Sequence, residues 1–352
     1  MGKNRLSKKT LKALEKAQIA RKEIESHEAI SVLEEQDERA LKRQGWRSGV
    51  VIEIYGEKCR VDLQDEIFWC TLRGILKKGE SEQKNLVAVG DDVLCTIIDE
   101  TKGVIEKILP RRTRLSRPAA QDRSRRTQEP RPEQIIAANI DQVVIVTSMK
   151  NPPLRLGLID RYLVAVQKQG LEPIICVNKI DLAENEEELQ DLKALYSRAG
   201  YKTLFTSVSK QIGIEELTEQ LKDRKSVVVG HSGVGKSSLI MAVQPNLKLR
   251  AREISEDTSR GRHTTTTAAI LKLDIGGYVV DTPGIREFGL WNVTHEEVGA
   301  YFPEIVPYLE ECAMSQCSHI HEPDCAVQRA LEQGEIDSRR YESYVRIYQS
   351  LL

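Results

Sequence analysis

The sequence predicts a multidomain protein with an N-terminal β-barrel, a central α/β domain and a mostly helical C-terminal domain. Three observations support this prediction: five short strand patterns lie between Gly49 and Leu109, strand and helix patterns alternate from Ile140 to Val280, and cysteines and histidines cluster after Glu311. With 40% hydrophobic and 30% charged residues, the chain of 352 residues has the composition of an ordinary globular protein of two or three domains.

The first domain is predicted from alternating apolar and polar residues between turn signals. Five strands within about sixty residues suit a small Greek-key barrel of the OB type. We predict these strands at Val50–Tyr55, Cys59–Leu63, Ile67–Leu72, Val93–Ile98 and Val104–Ile108. Barrels of this type often bind single-stranded nucleic acid through exposed aromatic side chains. The candidates here are Tyr55, Phe68 and Trp69, each of which is equally suited to the barrel core.

The central domain is predicted from strands that alternate with amphipathic helices. Strands are expected at Ile140–Thr147, Pro173–Val177, Thr203–Thr206, Val227–Val229, Ala268–Ile275 and Tyr278–Val280, and helices at Leu156–Gln169, Glu186–Ala199, Ile214–Leu221 and Ser238–Val243. This order is typical of a parallel sheet with helices on both faces, whose ligand loops follow the carboxyl ends of the strands.

A phosphate-binding loop follows the strand Val227–Val229. The run GHSGVGKS matches the P-loop pattern, in which small residues let backbone N–H groups converge on phosphates at a helix N-terminus. Lys236 is expected at the β- and γ-phosphates and Ser237 on Mg²⁺. The expected phosphate-binding residues are Gly230, His231, Ser232, Gly233, Val234, Gly235, Lys236, Ser237 and Ser238.

Two further motifs complete a GTP site. Asp281-Thr282-Pro283-Gly284 follows a strand, so Asp281 can hold Mg²⁺ through water and the Gly284 N–H can face the γ-phosphate. The run Asn178-Lys179-Ile180-Asp181 also follows a strand. The Asp181 carboxylate can accept two N–H bonds from guanine, whereas adenine would leave it without partners. Ser207, in the run Ser207-Val208-Ser209, is expected to complete the base pocket.

The order of these motifs is rotated. The base-reading run at Asn178–Asp181 precedes the P-loop, whereas ordinary GTPases carry it well after the P-loop. Opening a sheet at a different surface loop changes the chain order without moving the site. The sequence therefore predicts a circularly permuted P-loop GTPase.

The C-terminal cluster is Cys312-x₄-Cys317-x-His319-x₅-Cys325. Three thiolates and one imidazole at this spacing suit a closed, structural zinc site, with His321 as an alternative to His319. The other four cysteines fall in predicted strands, which disfavours disulfides. Because the chain shows neither a signal stretch nor a long apolar run, we expect a cytoplasmic protein that does not contact membranes. We also expect a monomer.

Basic residues are concentrated in two segments although the net charge is only −1. Lys3–Lys22 carries eight basic residues against Glu15, and Lys107–Arg131 carries nine against Asp122 and Glu129. Both segments can attract a phosphate backbone, and the first is equally compatible with a solvated tail.

From about Trp46 onward, the chain resembles the ribosome small-subunit-dependent GTPase A family, which are circularly permuted ribosome-assembly GTPases. The resemblance rests on NKID, GHSGVGKSS, GRHTTTT, DTPGIREFGLW and the Cys/His cluster. It implies a GTP hydrolase that acts late in maturation of the small ribosomal subunit, binds its rRNA and is stimulated by it. It also favours His319 as the fourth zinc ligand. We therefore expect an OB-fold RNA-binding domain at 46–110, a basic linker at 111–131, the GTPase domain at 132–294 and the zinc domain at 295–352. The resemblance does not explain the basic extension at 1–45, which we expect to be disordered or helical.

The group that positions the attacking water is less well defined by the sequence. Ile285 occupies the position after Asp-x-x-Gly where Ras-type enzymes carry glutamine, and its side chain cannot orient water. In the loop Arg260–Thr267, Thr265 is expected on Mg²⁺, with Thr264 and Thr266 as rivals. The family resemblance supports His263 as the group that orients water, and Arg260 or Arg262 is the alternative.

Other functions remain compatible with the same motifs. One is a GTPase directed at tRNA, and another is a non-catalytic RNA scaffold switched by nucleotide, which Ile285 would suit. A P-loop kinase is disfavoured by Asn178 and Asp181, which specify guanine.

Overall fold

The computed structural model describes residues 45–64, 66–74, 86–118, 133–245, 269–281, 290 and 292–352. Within these ranges, the N-terminal unit is a closed five-stranded barrel. Its strands are β1 (Arg47–Tyr55), β2 (Lys58–Leu63), β3 (Glu66–Leu72), β4 (Asp92–Ile97) and β5 (Lys102–Ile108). They pair in the order β1-β2-β3-β5-β4, and β4 pairs again with β1, which closes the barrel. The predicted barrel is confirmed.

The barrel separates its aromatic side chains into core and surface. Phe68 is buried with Val51, Val61 and Leu63. Tyr55 and Trp69 are 52% and 43% exposed. Strand alternation explains the difference, because neighbouring residues of β3 point to opposite faces of the sheet.

The central sheet has the predicted α/β architecture. Its strands are β8 (Gln142–Ser148), β9 (Glu172–Asn178), β10 (Lys202–Phe205), β11 (Lys225–Val229), β12 (Ala269–Lys272) and β13 (Tyr278–Asp281). They lie in the order β10-β9-β8-β11-β13-β12; all neighbours are parallel except β12 and β13. The helices are α1 (Leu156–Lys168), α2 (Glu186–Arg198), α3 (Ile214–Leu221) and α4 (Lys236–Val243).

Helices cover both faces of this sheet. One core cluster joins α1 and α2 to the sheet through Ile159, Leu163 and Leu195. A second joins α3 and α4 to it through Leu217 and Leu239. The sheet is therefore buried on both faces, as its apolar, β-branched strands require.

The segment expected to be a basic linker contains structure that was not predicted from the sequence. Strand β6 (Arg114–Pro118) pairs antiparallel with β7 (Glu133–Ala138), and Leu115 is fully buried in the core shared with α1 and α2. Arg111 donates to the buried Asp91 at 2.7 and 2.8 Å. This guanidinium is engaged by a carboxylate of the barrel, so Arg111 ties the segment to the barrel and is not free for the phosphate contact expected of its charge.

The C-terminal region is mostly helical, as predicted. It contains 3-10 helices at His295–Tyr301 and Val306–Tyr308, followed by α5 (Ala326–Glu332) and α6 (Ser338–Gln349). Its core includes Val164 of α1, so this helix is shared between two hydrophobic cores. Among the described residues, no helix has the length and apolar character needed to cross a bilayer.

A buried ion cluster attaches the C-terminal region to α1. Arg340 of α6 is 2% exposed and pairs with Asp160 of α1 and, at 2.6 Å, with Glu304. Its guanidinium also lies 4.7 Å from the centre of the Phe302 ring. Because an unpaired buried charge is costly, these groups fix how α6 sits on α1.

Candidate functional site

The nucleotide motifs meet at the carboxyl edge of the central sheet. Asn178 ends β9, Gly230 follows β11 and Asp281 ends β13, while Ser207 lies two residues beyond β10. Because β9, β10, β11 and β13 all run in the same direction, their following residues emerge at one edge. The fold thus brings together motifs that are about a hundred residues apart in the chain.

The P-loop depends on glycine at two close contacts. Gly230 has φ of 140°, and a Cβ there would meet the carbonyl oxygen of Val146 at 2.1 Å. Gly235 has φ of 97°, and a Cβ there would meet Nδ2 of Asn178 at 2.3 Å. A side chain at either position would force the neighbouring loop away, because these backbone conformations and distances suit glycine alone.

Lys236 and Ser237 lie at the start of α4, directly after the glycines. Lys236 Nζ donates to the carbonyl oxygens of Gly230 and His231, both at 2.8 Å, so its ammonium group lies across the loop. Ser237 lies in the first turn of α4, followed by Ser238. An ammonium group, backbone N–H groups and a hydroxyl at a helix N-terminus form a suitable cradle for phosphate and its cation.

Asn178 and Lys179 join the base-reading run to the P-loop. The Asn178 side chain donates to the Val234 carbonyl at 2.9 Å, although the two residues are 56 positions apart. Lys179 has φ of 60°, and its Nζ donates to the Gly233 carbonyl at 2.7 Å and to the Asn151 carbonyl. Sequence reasoning missed Asn151, since nothing local marks the loop after β8 as a partner of this lysine.

Asp181 lies in a single turn of 3-10 helix, Ile180–Leu182, with its carboxylate exposed. Ser207 Oγ donates to one carboxylate oxygen at 2.5 Å, and Ser209 Oγ donates to the other at 3.0 Å. The hydrogen bonds from Ser207 and Ser209 lower the pKa of Asp181 below its ordinary value. The group is therefore ionised at neutral pH, as an acceptor of two N–H bonds must be.

Apart from Lys236, the residues discussed above for the γ-phosphate and the attacking water lie outside the described ranges. These are Arg260, Arg262, His263, Thr264, Thr265, Thr266, Gly284 and Ile285. The backbone of Asp281 is described at the end of β13, where it pairs opposite Ala269.

The Cys/His cluster is assembled in the C-terminal region. The ligand atoms of Cys312, Cys317, His319 and Cys325 all lie within 4.8 Å of one another. Cys312 Sγ lies 3.3 Å from His319 Nδ1 and 3.8 Å from Cys325 Sγ. A tetrahedron with Zn–S bonds of about 2.3 Å has edges of about 3.8 Å, so this donor set fits zinc.

The surroundings of His319 favour metal binding. Burial lowers the pKa of its imidazole to about 4, so the ring is neutral, which is the form that binds metal. Tyr341 donates to the His319 carbonyl at 2.7 Å and Tyr344 to the Ser318 carbonyl at 2.8 Å. Helix α6 thereby holds the ligand loop in place. His321 is exposed and is not part of the cluster.

Comparisons with known proteins agree with this architecture. The family model described as RsgA GTPase matches residues 108–291. A small ribosomal subunit biogenesis GTPase RsgA of Chlorobaculum parvum is 45% identical over 310 residues, which cover 86% of this chain and 98% of that protein. The chain belongs to the RsgA GTPase family. A member from Thermotoga maritima is 39% identical and covers 87% of this chain and 97% of its own length.

Solved structures show the same RsgA-type fold. The crystal structure of YjeQ from Thermotoga maritima has a TM-score of 0.70 at 35% identity, covering 87% of this chain and 98% of that one. The structure of YloQ, described as a circularly permuted GTPase, has a TM-score of 0.67 at 30% identity. The match covers 87% of this chain and 95% of the YloQ chain. The predicted permuted GTPase fold is therefore confirmed.

Proposed function

We propose that this RsgA GTPase hydrolyses GTP to GDP and phosphate during assembly of the small ribosomal subunit in the cytoplasm, acting as a monomer. The observation that carries the proposal is the 2.9 Å bond from Asn178 to Val234, which holds a guanine-reading run against a P-loop. The relatives from Chlorobaculum parvum and Thermotoga maritima are named small ribosomal subunit biogenesis GTPases. The alternative directed at tRNA has no comparable support.

In this proposal, the base and the phosphates are bound at neighbouring positions along the carboxyl edge, the base beyond β9 and β10 and the phosphates beyond β11. Asp181 and Ser207 read guanine, and Gly230–Ser238 bind the phosphates. Ser237 and Thr265 hold Mg²⁺, with Asp281 acting through water. Bound Mg²⁺ would neutralise charge on the β- and γ-phosphates. Cys312, Cys317, His319 and Cys325 hold one structural zinc ion.

The residue after Gly284 cannot orient the attacking water, so another group must do so. Ile285 offers no hydrogen bond, so we assign the orienting role to His263, whose imidazole can accept a proton from water near neutral pH. Because no glutamine follows Gly284, hydrolysis in the absence of a partner should be slow.

The free protein should hydrolyse GTP at a basal rate within about a hundredfold of 10⁻⁴ to 10⁻³ s⁻¹. We expect purified small ribosomal subunits to raise this turnover at least about tenfold. His263→Ala should keep binding to GTP and to the subunit but lose most of the stimulation. The measurement is multiple-turnover phosphate release, titrated with subunits. His321→Ala, which changes an exposed histidine outside the nucleotide site, should be stimulated like the parent. Stimulation by tRNA but not by subunits would refute the proposed partner.

The barrel offers a surface suited to single-stranded rRNA. Exposed Tyr55 and Trp69 lie with ring centres 5.6 Å apart on β1 and β3. Arg60 of the intervening strand lies 5.9 Å from the centre of the Trp69 ring. Arg60 also pairs with Glu53 at 2.9 Å, so its contribution here is to pack beside Trp69. The two exposed rings suit base stacking.

We expect Trp69→Ala to weaken binding of a single-stranded RNA oligonucleotide by about tenfold, because stacking on one ring is lost. The salt dependence of binding should not change, since tryptophan carries no charge. Fluorescence titrations at several salt concentrations measure both quantities. The matched control is Ile98→Ala, which removes an apolar side chain that is 64% exposed. Equal affinities for parent and Trp69→Ala would place the RNA contact elsewhere.

A further inference from the structure

Each oxygen of the Asp181 carboxylate has its own hydroxyl donor. Ser207 Oγ lies 2.5 Å from Oδ1, and Ser209 Oγ lies 3.0 Å from Oδ2. The two serine oxygens are 3.0 Å apart. The carboxylate is thus bound by a pair of hydroxyl groups. The guanine pocket as assigned above includes only one of them, that of Ser207.

The loop that carries Ser209 is fixed by its own backbone. Ser207 and Ile212 exchange two N–H···O bonds, both 3.0 Å long, which close the loop at its base. Within the loop, the side chain of Gln211 donates to the Val208 carbonyl at 2.8 Å. The place of Ser209 is therefore set without help from a ligand.

This loop is also tied directly to the base-reading run. The Thr206 N–H donates to the Val177 carbonyl at 2.8 Å, and the Ile180 N–H donates to the Thr206 carbonyl at 3.2 Å. Thr206 Oγ1 donates to Asn178 Oδ1 at 3.2 Å. Ser209 and Asp181 consequently belong to one hydrogen-bonded unit, so the distance between them is set by the backbone.

Guanine recognition places a specific demand on the carboxylate. Its ring N–H and its 2-amino group lie side by side, so both carboxylate oxygens must face the base in one plane. The terminal torsion of an aspartate is broad, and a single hydroxyl leaves the group able to turn about that bond. A second hydroxyl on the other oxygen removes this freedom. Each ionised oxygen still has an acceptor position left for the base.

We propose that Ser209 is a positioning residue for guanine recognition, which acts with Ser207 to hold the Asp181 carboxylate in the plane that accepts both donors of the base. This inference rests on the proposed function, since it takes Asp181 as the base-reading group. Ser209 acts through Asp181, and its effect is on the choice of base.

The test compares GDP with IDP, which lacks the 2-amino group and keeps the ring N–H. In Ser209→Ala of the full-length protein, GDP affinity should fall by about tenfold, the loss expected for one charge-assisted hydrogen bond. IDP affinity should fall less, so the preference for GDP over IDP narrows. Calorimetric titration of both nucleotides gives this ratio. Ser209→Thr keeps the hydroxyl and should restore the parent ratio.

The matched control is Ser197→Ala, which removes an exposed serine of α2 and should leave both affinities unchanged. An unaltered GDP/IDP ratio in Ser209→Ala would overturn the inference. So would a Ser209→Thr variant that behaves like Ser209→Ala, because the loop and not the hydroxyl would then be responsible. Asp181→Asn distinguishes a failure of the proposed guanine pocket from a failure of the role of Ser209. If Asp181→Asn changes base preference and Ser209→Ala does not, the guanine pocket is supported and only the role of Ser209 is wrong.

Discussion

Asp181→Asn should lower GTP affinity by about 100- to 10,000-fold, because the amide loses the negative charge and one acceptor and sets its own N–H donors against an N–H donor of guanine. The same variant should bind xanthosine triphosphate. An amide can donate to the additional carbonyl of xanthine while its oxygen still accepts the ring N–H. Equilibrium binding of GTP and xanthosine triphosphate to parent and variant measures the exchange of preference.

The gain of xanthosine triphosphate binding is the internal control for this experiment. A variant that binds xanthosine triphosphate has kept its P-loop and its fold, so its loss of GTP affinity must come from the base pocket. Asp191→Asn, which changes an exposed carboxylate on α2, should leave GTP affinity unchanged. If Asp181→Asn bound GTP as tightly as the parent, the guanine-reading role of Asn178–Asp181 would be wrong.

His319→Ala should reduce bound zinc from one ion per chain to near zero and destabilise the C-terminal region. Structural zinc sites contribute on the order of 10 kcal/mol of binding energy at neutral pH, and the loop from Cys312 to Cys325 has little other regular structure. Metal analysis of the purified protein gives the number of zinc ions per chain, and limited proteolysis shows whether residues 295–352 remain folded.

His321→Ala is the matched control for the zinc experiment. This histidine lies two residues from His319, but it is exposed and outside the cluster. We expect full zinc content and parental resistance to protease. Loss of zinc in His321→Ala with retention in His319→Ala would reverse the ligand assignment.

Local pattern was sufficient to predict the elements that carry the nucleotide motifs. Asn178 and Gly230 each follow an apolar, β-branched strand, and such strands are recognisable because both of their faces are buried. The cysteine spacing was informative for a similar reason, since all four residues fall within one short segment. Where chemistry and fold are encoded by neighbouring residues, a single sequence is enough.

Contacts between distant segments were not predictable. Strand β6 has the sequence RLSRP, in which only Leu115 marks a buried position, and charge obscured the strand. Arg340 and Asp160 are 180 residues apart, and both look like ordinary surface residues of amphipathic helices. Their burial follows from the packing of α6 on α1, which no local periodicity reveals.

The position of β11 in the sheet has a consequence for how the chain is synthesised. This strand lies between β8 and β13 and carries the P-loop at its end. In a nascent chain, β8, β9 and β10 emerge first, so the apolar edge of β8, with Val143 and Ile145, stays open until Lys225–Val229 has left the ribosome. An open apolar edge invites pairing with other chains. The rotated motif order thus makes the phosphate-binding strand the piece that covers the edge of β8 during translation, whereas in an unrotated GTPase this strand would be among the first made.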